Sequence, residues 1–159
     1  VMGVLSRNTM EDIPGTARKR SKRDSQVRAR VLPELKKTET DVHLKDNVEA
    51  GTTVYTDEAN HYASLAEFTH EVLDHTEAYV KGRIHVNGVE NFWSLLKRSL
   101  AGTYVSVEPF HLQAYVNEQV FRYNLRKDTD AQRFVTVLAG ILGKRLTYEQ
   151  VTGKSEAAA

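Results

Sequence analysis

The strongest hydrophobic pattern in the chain lies between His85 and Tyr104. Its apolar residues recur at i, i+3, i+4, i+7 and i+11, which is the spacing of one face of an α-helix: Val89, Phe92, Trp93, Leu96 and Leu100. Asn87 stands where such a helix begins and Gly102 where it ends. The pattern predicts an amphipathic helix whose apolar stripe is buried.

Shorter patterns predict the remaining elements. Apolar and β-branched runs predict strands at residues 1–5, 26–32, 52–56 and 70–75, the first two antiparallel and joined by a polar loop over residues 8–25. Helices are predicted at residues 38–50, 59–68, 109–123 and 130–142, and from Gly153 we expect a disordered tail. This order of strands and helices predicts an α/β domain.

Composition restricts the class of protein. The chain has 159 residues, of which 40% are hydrophobic and 27% charged, and this is typical of one soluble domain. It contains no apolar run of membrane-span length and no signal-peptide pattern. The absence of Cys excludes disulfides and thiolate metal sites and fits a cytoplasmic protein. Because the net charge is only +1, any contact with nucleic acid must come from local clusters of charge.

One such cluster lies inside the predicted loop. Five of the six residues from Arg18 to Arg23 are basic: Arg18, Lys19, Arg20, Lys22 and Arg23. A run of this kind is often only a solvated loop. It is equally suited to neutralising the phosphates of a DNA backbone, so both interpretations stay open.

Two acidic residues are candidates for chemistry. Glu90 and Lys97 are seven residues apart, nearly two helical turns, so both point the same way beside the apolar stripe. The alternative for Glu90 is a capping box with Asn87 at the N-cap. Asp57 follows the strand predicted at 52–56, and sites in α/β sheets gather at carboxyl ends of strands. By residue type alone, Asp57 is more commonly the N-cap of a following helix.

Two His residues flank a connecting segment that contains Gly82, namely His75 and His85. Such a pair could bind a metal ion. An ordinary polar loop is the favoured interpretation, because no short ligand spacing of the kind found in zinc sites accompanies them.

Three segments, in order, resemble the catalytic domain of DDE-type transposases from bacterial insertion sequences. More narrowly they resemble the ISXO-like group, whose signature is Asp, Asp, Glu or Asn, and then Lys. Residues 54–62, VYTDEANHY, resemble the segment of the second Asp. Residues 85–104, HVNGVENFWSLLKRSLAGTY, resemble the third catalytic segment. Residues 111–126, HLQAYVNEQVFRYNLR, resemble the helix that closes the domain.

The resemblance implies a ribonuclease-H-like fold, in which helices flank a mixed sheet. It also implies an enzyme that cleaves and transfers DNA strands with two Mg²⁺ or Mn²⁺ ions. Asp57 and Glu90 would be metal ligands and, with Lys97, catalytic residues. The implied DNA-binding residues are Arg18, Lys19, Arg20, Lys22, Arg23, Lys97 and Arg98, with His85 and Asn87 as auxiliary candidates. The implied partners are the ends of the insertion sequence and target DNA, and a homo-oligomer is left open.

The chain also departs from the family pattern. The family's first Asp stands on a strand before the segment VMGVL, with which this sequence starts, and Asp12 and Asp24 lie in the predicted loop and do not replace it. We therefore expect a partial catalytic domain at 1–127 that lacks its central strand, and a C-terminal helix and tail at 128–159. We expect no cleavage by these residues alone. The alternatives are a DNA-binding remnant of a decayed transposase and a ribonuclease-H-like nuclease without strand transfer.

Overall fold

The computed structural model describes residues 1–6, 10–12, 19–21, 24–34, 36–56, 67–72 and 87–153. Within these ranges the strands are β1 (Met2–Ser6), β2 (Met10–Asp12), β3 (Lys19–Ser21), β4 (Gln26–Arg30), β5 (Thr53–Thr56) and β6 (Thr69–Val72). The helices are α1 (Lys37–Asn47), α2 (Asn87–Arg98), α3 (Leu112–Asn124), α4 (Asp130–Ile141) and α5 (Tyr148–Thr152). A π-helical turn, Ser99–Thr103, continues α2, and a 3₁₀ turn, Pro109–His111, precedes α3. The structure therefore confirms the predicted mixture of α-helices and β-strands.

An antiparallel pair of strands, β1 and β4, carries the packing of the domain. The predicted antiparallel pairing is confirmed, and in it Met2 lies opposite Arg30 and Leu5 opposite Val27. Because side chains of a strand alternate between the faces, the two faces differ in chemistry. One carries Gly3, Leu5, Val27 and Ala29, and the other carries Met2, Val4, Arg28 and Arg30.

The apolar stripe of α2 covers the first of these faces. Phe92 is fully buried, and it forms the main core together with Val27, Leu96, Val116 and Tyr123. The Phe92 ring meets Tyr123 edge-on, with 5.7 Å between ring centroids. Helix α3 packs against β4, and α2 packs against β1. The predicted burial of the stripe is therefore confirmed, and the energy of this core comes mainly from apolar area removed from water.

Helix α1 lies on the opposite face of the pair. Its Leu44 is buried with Met2 and Phe68 in a second, smaller core. The helix buries little other apolar surface, and Val42 remains 54% exposed. The helix ends at Asn47, earlier than predicted, because the next residue, Val48, is extended.

Strands β5 and β6 form a separate parallel sheet. Thr53 lies opposite Thr69. No hydrogen-bonded pairing joins this sheet to the β1–β4 pair within the described ranges. The two sheets nevertheless share apolar contacts, since Val54 packs into the second core beside Met2.

Side-chain amides of α3 cap the outer edge of β4. The Val27 N–H donates to Oδ1 of Asn124 at 2.7 Å, and the Asn124 amide donates back to the Val27 carbonyl at 2.9 Å. The Val31 N–H donates to Oε1 of Gln113 at 2.8 Å. These bonds satisfy backbone groups that an edge strand otherwise leaves open to another strand.

Two parts of the prediction require correction. The predicted loop over 8–25 contains an antiparallel ribbon in which β2 pairs with β3, with Glu11 opposite Arg20. Lys19 and Arg20 therefore belong to a strand, where pairing satisfies the backbone groups of a polar run. The helix predicted at 59–68 falls almost wholly outside the described residues, and Glu67 and Phe68, which are described, form a turn.

The C-terminal helix is confirmed at Asp130–Ile141, where Thr129 and Gln132 form a capping box. Its apolar side chains are uncovered in the described structure, for example Phe134 at 62% exposure. The domain boundary expected between residues 127 and 128 stays a prediction. Among the described helices, none is both long and apolar enough to cross a membrane.

The contact between α2 and β1 requires a glycine at position 3. A methyl group on Gly3 would lie 2.8 Å from Cη2 of Trp93, whose ring is held edge-on against Phe92. We expect Gly3→Ala to lower the free energy of unfolding by about 1–3 kcal/mol through overpacking. Urea unfolding followed by the fluorescence of Trp93 measures this loss.

The matched control is Gly88→Ala. Its methyl group would lie 2.8 Å from Cδ2 of Leu5, a side chain that can rotate away. Alanine is also favoured over glycine by about 1 kcal/mol inside a helix. If Gly88→Ala lowered the free energy of unfolding as much as Gly3→Ala or more, the packing described for Trp93 would be contradicted.

Candidate functional site

Helix α2 presents its polar face to solvent. Glu90, Ser94 and Lys97 are all exposed, whereas Phe92 and Leu96 on the other side are buried. The seven residues from Glu90 to Lys97 correspond to about 10 Å along the helix axis. A carboxylate and an ammonium group therefore lie on one accessible face, at a separation that suits two different atoms of one extended ligand.

The start of α2 bears on the role of Glu90. A capping box requires Asn87 outside the helix as N-cap and Glu90 at the third helical position. The described helix begins with Asn87 and contains Glu90 in its first turn, so the capping box stays an alternative for Glu90. No hydrogen bond or ion pair to another described residue engages Glu90. Within the described part of the chain, no residue competes with an external partner for this carboxylate.

The end of α2 carries two exposed cations, Lys97 and Arg98. Positive charge in the last turn is favourable because the helix dipole is negative there. The part of the chain that the structure describes contains no salt bridge to either residue. Both cations are therefore available for an anionic ligand.

The other candidate residues are described only in part. Asp57 lies outside the described residues, directly after Thr56, the last residue of β5. Thr56 itself is buried, and its Oγ1 lies 2.7 Å from Nε2 of His70. The position of Asp57 relative to Glu90 stays a prediction.

Some of the remaining candidate residues are described by the structure and others are not. Lys19 and Arg20 lie in β3, and Asn87 begins α2. Arg18, Lys22, Arg23, His75 and His85 lie outside the described residues. No group of three or more His, Asp or Glu side chains within the described part of the chain could hold a metal ion. Glu90 supplies one carboxylate, the ligand type that Mg²⁺ prefers.

A cavity of about 300 Å³ lies where α2 passes into the π-helical turn. Tyr104 donates from its hydroxyl to Oε2 of Glu118 at 2.6 Å, and Nη2 of Arg122 lies 2.7 Å from Oε1 of the same carboxylate. Glu118 and Arg122, four residues apart on α3, therefore form an ion pair. The part played by Tyr104 was missed, because it depends on the path of the chain after Gly102.

The backbone that delivers Tyr104 is strained. Val105 has φ of 59°, and the Ser106 N–H donates to the Tyr104 carbonyl at 2.6 Å in a tight three-residue turn. A β-branched residue at positive φ is a costly conformation. The hydrogen bonds to Glu118 help to hold the segment in place.

Comparison with known proteins identifies the family of the chain. The model of the ISXO2-like transposase domain family matches residues 1–124. The chain belongs to this family. The matched range spans the strands β1 to β6 and ends with the last residue of α3, Asn124. It therefore contains α2 and both core clusters, whereas α4 and α5 lie beyond it.

One curated relative supports the assignment. An uncharacterized transposase-like protein of Haemophilus influenzae is 29% identical over 83 residues, which cover 51% of this chain and 67% of the relative. No solved structure matches the chain.

The Tyr104–Glu118 bond predicts a dependence of stability on pH. The Tyr104 hydroxyl lowers the pKa of Glu118, with a further lowering by Arg122 and a partial opposition from burial. A carboxyl group whose pKa is lowered by folding stabilises the protein above its unfolded pKa, and this stabilisation is lost as pH falls through the folded pKa.

We expect Tyr104→Phe to reduce stability at neutral pH and to have little effect in acid, once Glu118 is protonated. The loss should be about 1 kcal/mol or less, because the Glu118 side chain is 37% exposed and water screens it. Urea unfolding at neutral and acidic pH measures the difference. Tyr148→Phe, at an exposed position, is the control. A loss for Tyr104→Phe that is the same at both pH values would contradict the bond to an ionised Glu118.

Proposed function

We propose that this chain provides the catalytic domain of an insertion-sequence transposase, which cleaves DNA and transfers strands with divalent metal ions. The observation that carries the proposal is the family match over residues 1–124, in which Glu90 is exposed on a helix anchored in the core and is bound by no other described residue. A rigid helix with one free carboxylate is the kind of element on which a metal ligand can be positioned.

We further propose that the sheet is ribonuclease-H-like and that a strand lies between β1 and β5. The edge groups support this. The N–H and C=O groups of Val27 point away from β1, toward Asn124. Val27 and Leu5 are therefore a non-hydrogen-bonded pair, and the N–H and C=O groups of Leu5 point away from β4. The Thr69 N–H donates to the Thr52 carbonyl, which leaves Thr53 and Tyr55 facing the opposite edge of β5.

Within the described structure, these two edges have no strand partner. Two open edges that share an apolar core are a suitable place for one further strand. Such a strand would join both pairs into one mixed sheet. The catalytic domain is then residues 1–127 together with that strand, and residues 128–159 form an appendage.

In the proposed site, Asp57 and Glu90 are ligands of the metal ions. Asp57 follows the end of β5, and Glu90 stands one turn into α2. Two Mg²⁺ or Mn²⁺ ions, when bound, would activate the attacking oxygen and stabilise the leaving oxygen. Lys97 contacts a phosphate as a point charge on the same face as Glu90. His85 and Asn87, just before and at the start of α2, would assist in orienting a ligand.

DNA is the proposed partner of the exposed cations. Arg98 extends the positive charge of Lys97 at the end of α2. Lys19 and Arg20 belong to β3, so a paired ribbon carries part of the basic cluster. We propose that this cluster, with Arg18, Lys22 and Arg23, binds the backbone of the element end or of the target DNA.

A strand-transfer assay tests the function. It uses Mg²⁺ and DNA carrying the ends of the element, with residues 1–159 and with the same chain extended through the reading frame before Val1. We expect activity from the extended chain, reduced at least about 100-fold by Glu90→Gln and by Asp57→Asn, because each removes a charge that positions the metal ions. Glu149→Gln, an exposed change on α5 outside the matched range, should leave activity unchanged.

Each alternative has its own result in this assay. Cleavage without joining would indicate a nuclease. DNA binding without cleavage in both chains would indicate a remnant without chemistry. Full activity in the Glu90→Gln variant would remove α2 from the proposed catalytic site.

A further inference from the structure

A second polar site lies on the side of β4 that is remote from α2. A cleft of about 540 Å³ runs along the outer edge of β4 between α1 and α3. Its charged side chains are Arg28 and Arg30 of β4 and Asp46 of α1, and His43 lines it as well. The proposed metal ligands, Asp57 and Glu90, are not among the described residues that line it.

His43 is a buried hydrogen-bond donor in this cleft. The residue is only 5% exposed. The Asn47 side-chain amide donates to the His43 carbonyl at 2.7 Å and lies 3.4 Å from Nδ1. An amide N–H facing Nδ1 makes this nitrogen the acceptor, so the neutral ring carries its proton on Nε2.

The Nε2 atom has no hydrogen-bond partner among the described residues. Burial, followed by the nearby Arg30 guanidinium, lowers the pKa of His43, with Asp46 opposing. The imidazole is therefore neutral at neutral pH, and its N–H needs an acceptor. A buried polar group without a partner is unfavourable, so the wall of the cleft contains a donor that the described residues do not satisfy.

The backbone of β4 offers a second donor at the same place. Residues that are two apart along a strand direct their N–H groups to the same side. The N–H groups of Val27 and Val31 point outward, to Asn124 and Gln113 respectively. Ala29 lies between them and lines the cleft. Its N–H faces outward too, and no side chain within the described ranges caps it.

Arg28 and Arg30 add positive charge at the rim. Both side chains are exposed, and Nη1 of Arg28 donates to Oδ1 of Asn47 at 3.3 Å, which links this guanidinium to the residue that orients His43. Two cations against the single carboxylate of Asp46 leave the cleft positive. Guanidinium groups, a peptide N–H and an imidazole N–H are together donors of the kind that bind phosphate oxygens.

We propose that this cleft binds a phosphate group of the DNA backbone, as a contact additional to the cations of α2. The proposal rests on the proposed function, because that function supplies the DNA. The bound phosphate would accept hydrogen bonds from Arg30 and the Ala29 N–H, with the buried ring of His43 in the wall of the same cleft. The negative charge of Asp46 would repel the phosphate and so lower the affinity of the cleft for it.

The test measures binding of a random-sequence DNA duplex without Mg²⁺ by fluorescence anisotropy, over a range of salt concentrations. We expect Arg30→Gln to weaken binding and to reduce the salt slope by about one, the effect of losing one phosphate contact. Asp46→Asn should change affinity in the opposite direction. Arg145→Gln removes the same charge at an exposed position outside the cleft, and we expect a smaller effect on affinity and slope.

A titration with inorganic phosphate separates the two sources of the ligand. We expect phosphate to shift the imidazole NMR signals of His43 in the unmodified chain and less so in Arg30→Gln. A shift with phosphate, but equal DNA affinity and salt slope in the Arg30, Asp46 and Arg145 variants, would mean that the cleft binds free phosphate and would overturn the proposal. The absence of any His43 shift, with unchanged DNA binding, would overturn it as well.

This result is independent of the catalytic proposal. Binding is measured without metal ions and without cleavage, so an inactive Glu90 leaves the readout intact. Conversely, if Glu90→Gln abolishes strand transfer while Arg30→Gln leaves DNA binding unchanged, only the cleft is rejected. The urea unfolding of each variant, followed by the fluorescence of Trp93, confirms that the compared proteins are folded.

Discussion

The structure depends on the burial of one helix face against one pair of strands. Phe92 is inserted between Val27 of β4 and the residues Val116 and Tyr123 of α3, and all four are buried. This core fixes α2 along its length, so its opposite face is held in a defined position. Because Glu90 and Lys97 stand on that face, the packing of Phe92 decides where the candidate catalytic groups lie. The polar site is thus a consequence of apolar burial.

The sequence predicted those elements whose structure depends on local spacing. The stripe of α2, the alternation in β1 and β4, and Pro109 at the start of the segment leading to α3 each contain their own signal. The amide caps on β4 contain none, because Asn124 and Val27 are 97 residues apart in the chain. The ribbon of β2 and β3 was missed for a related reason. Its polar residues lack an alternating apolar pattern, and pairing alone defines it.

The candidate site was predictable in type but not in arrangement. Spacing on a helix was enough to place Glu90 and Lys97 on one exposed face. The burial of His43 was not predictable, because α1 has almost no apolar periodicity. The residues that surround His43 come in part from β4, which is distant in the sequence. The same limit applies to Tyr104, which reaches Glu118 through the strained turn at Val105. Tertiary contacts, which no local pattern encodes, create these two environments.

The proposed site requires that Asp57 and Glu90 converge on shared metal ions. The chain contains no Cys, so Asp57→Cys and Glu90→Cys together introduce the only two thiols. Titration with Co²⁺, whose visible absorption reports thiolate ligands, compares this double variant with the two single variants. Convergence predicts that the double variant binds Co²⁺ at least about 100-fold more tightly than either single variant, because the second thiolate is held nearby. Equal affinity in the double and single variants would show that the two positions lie apart, and would contradict the proposed site.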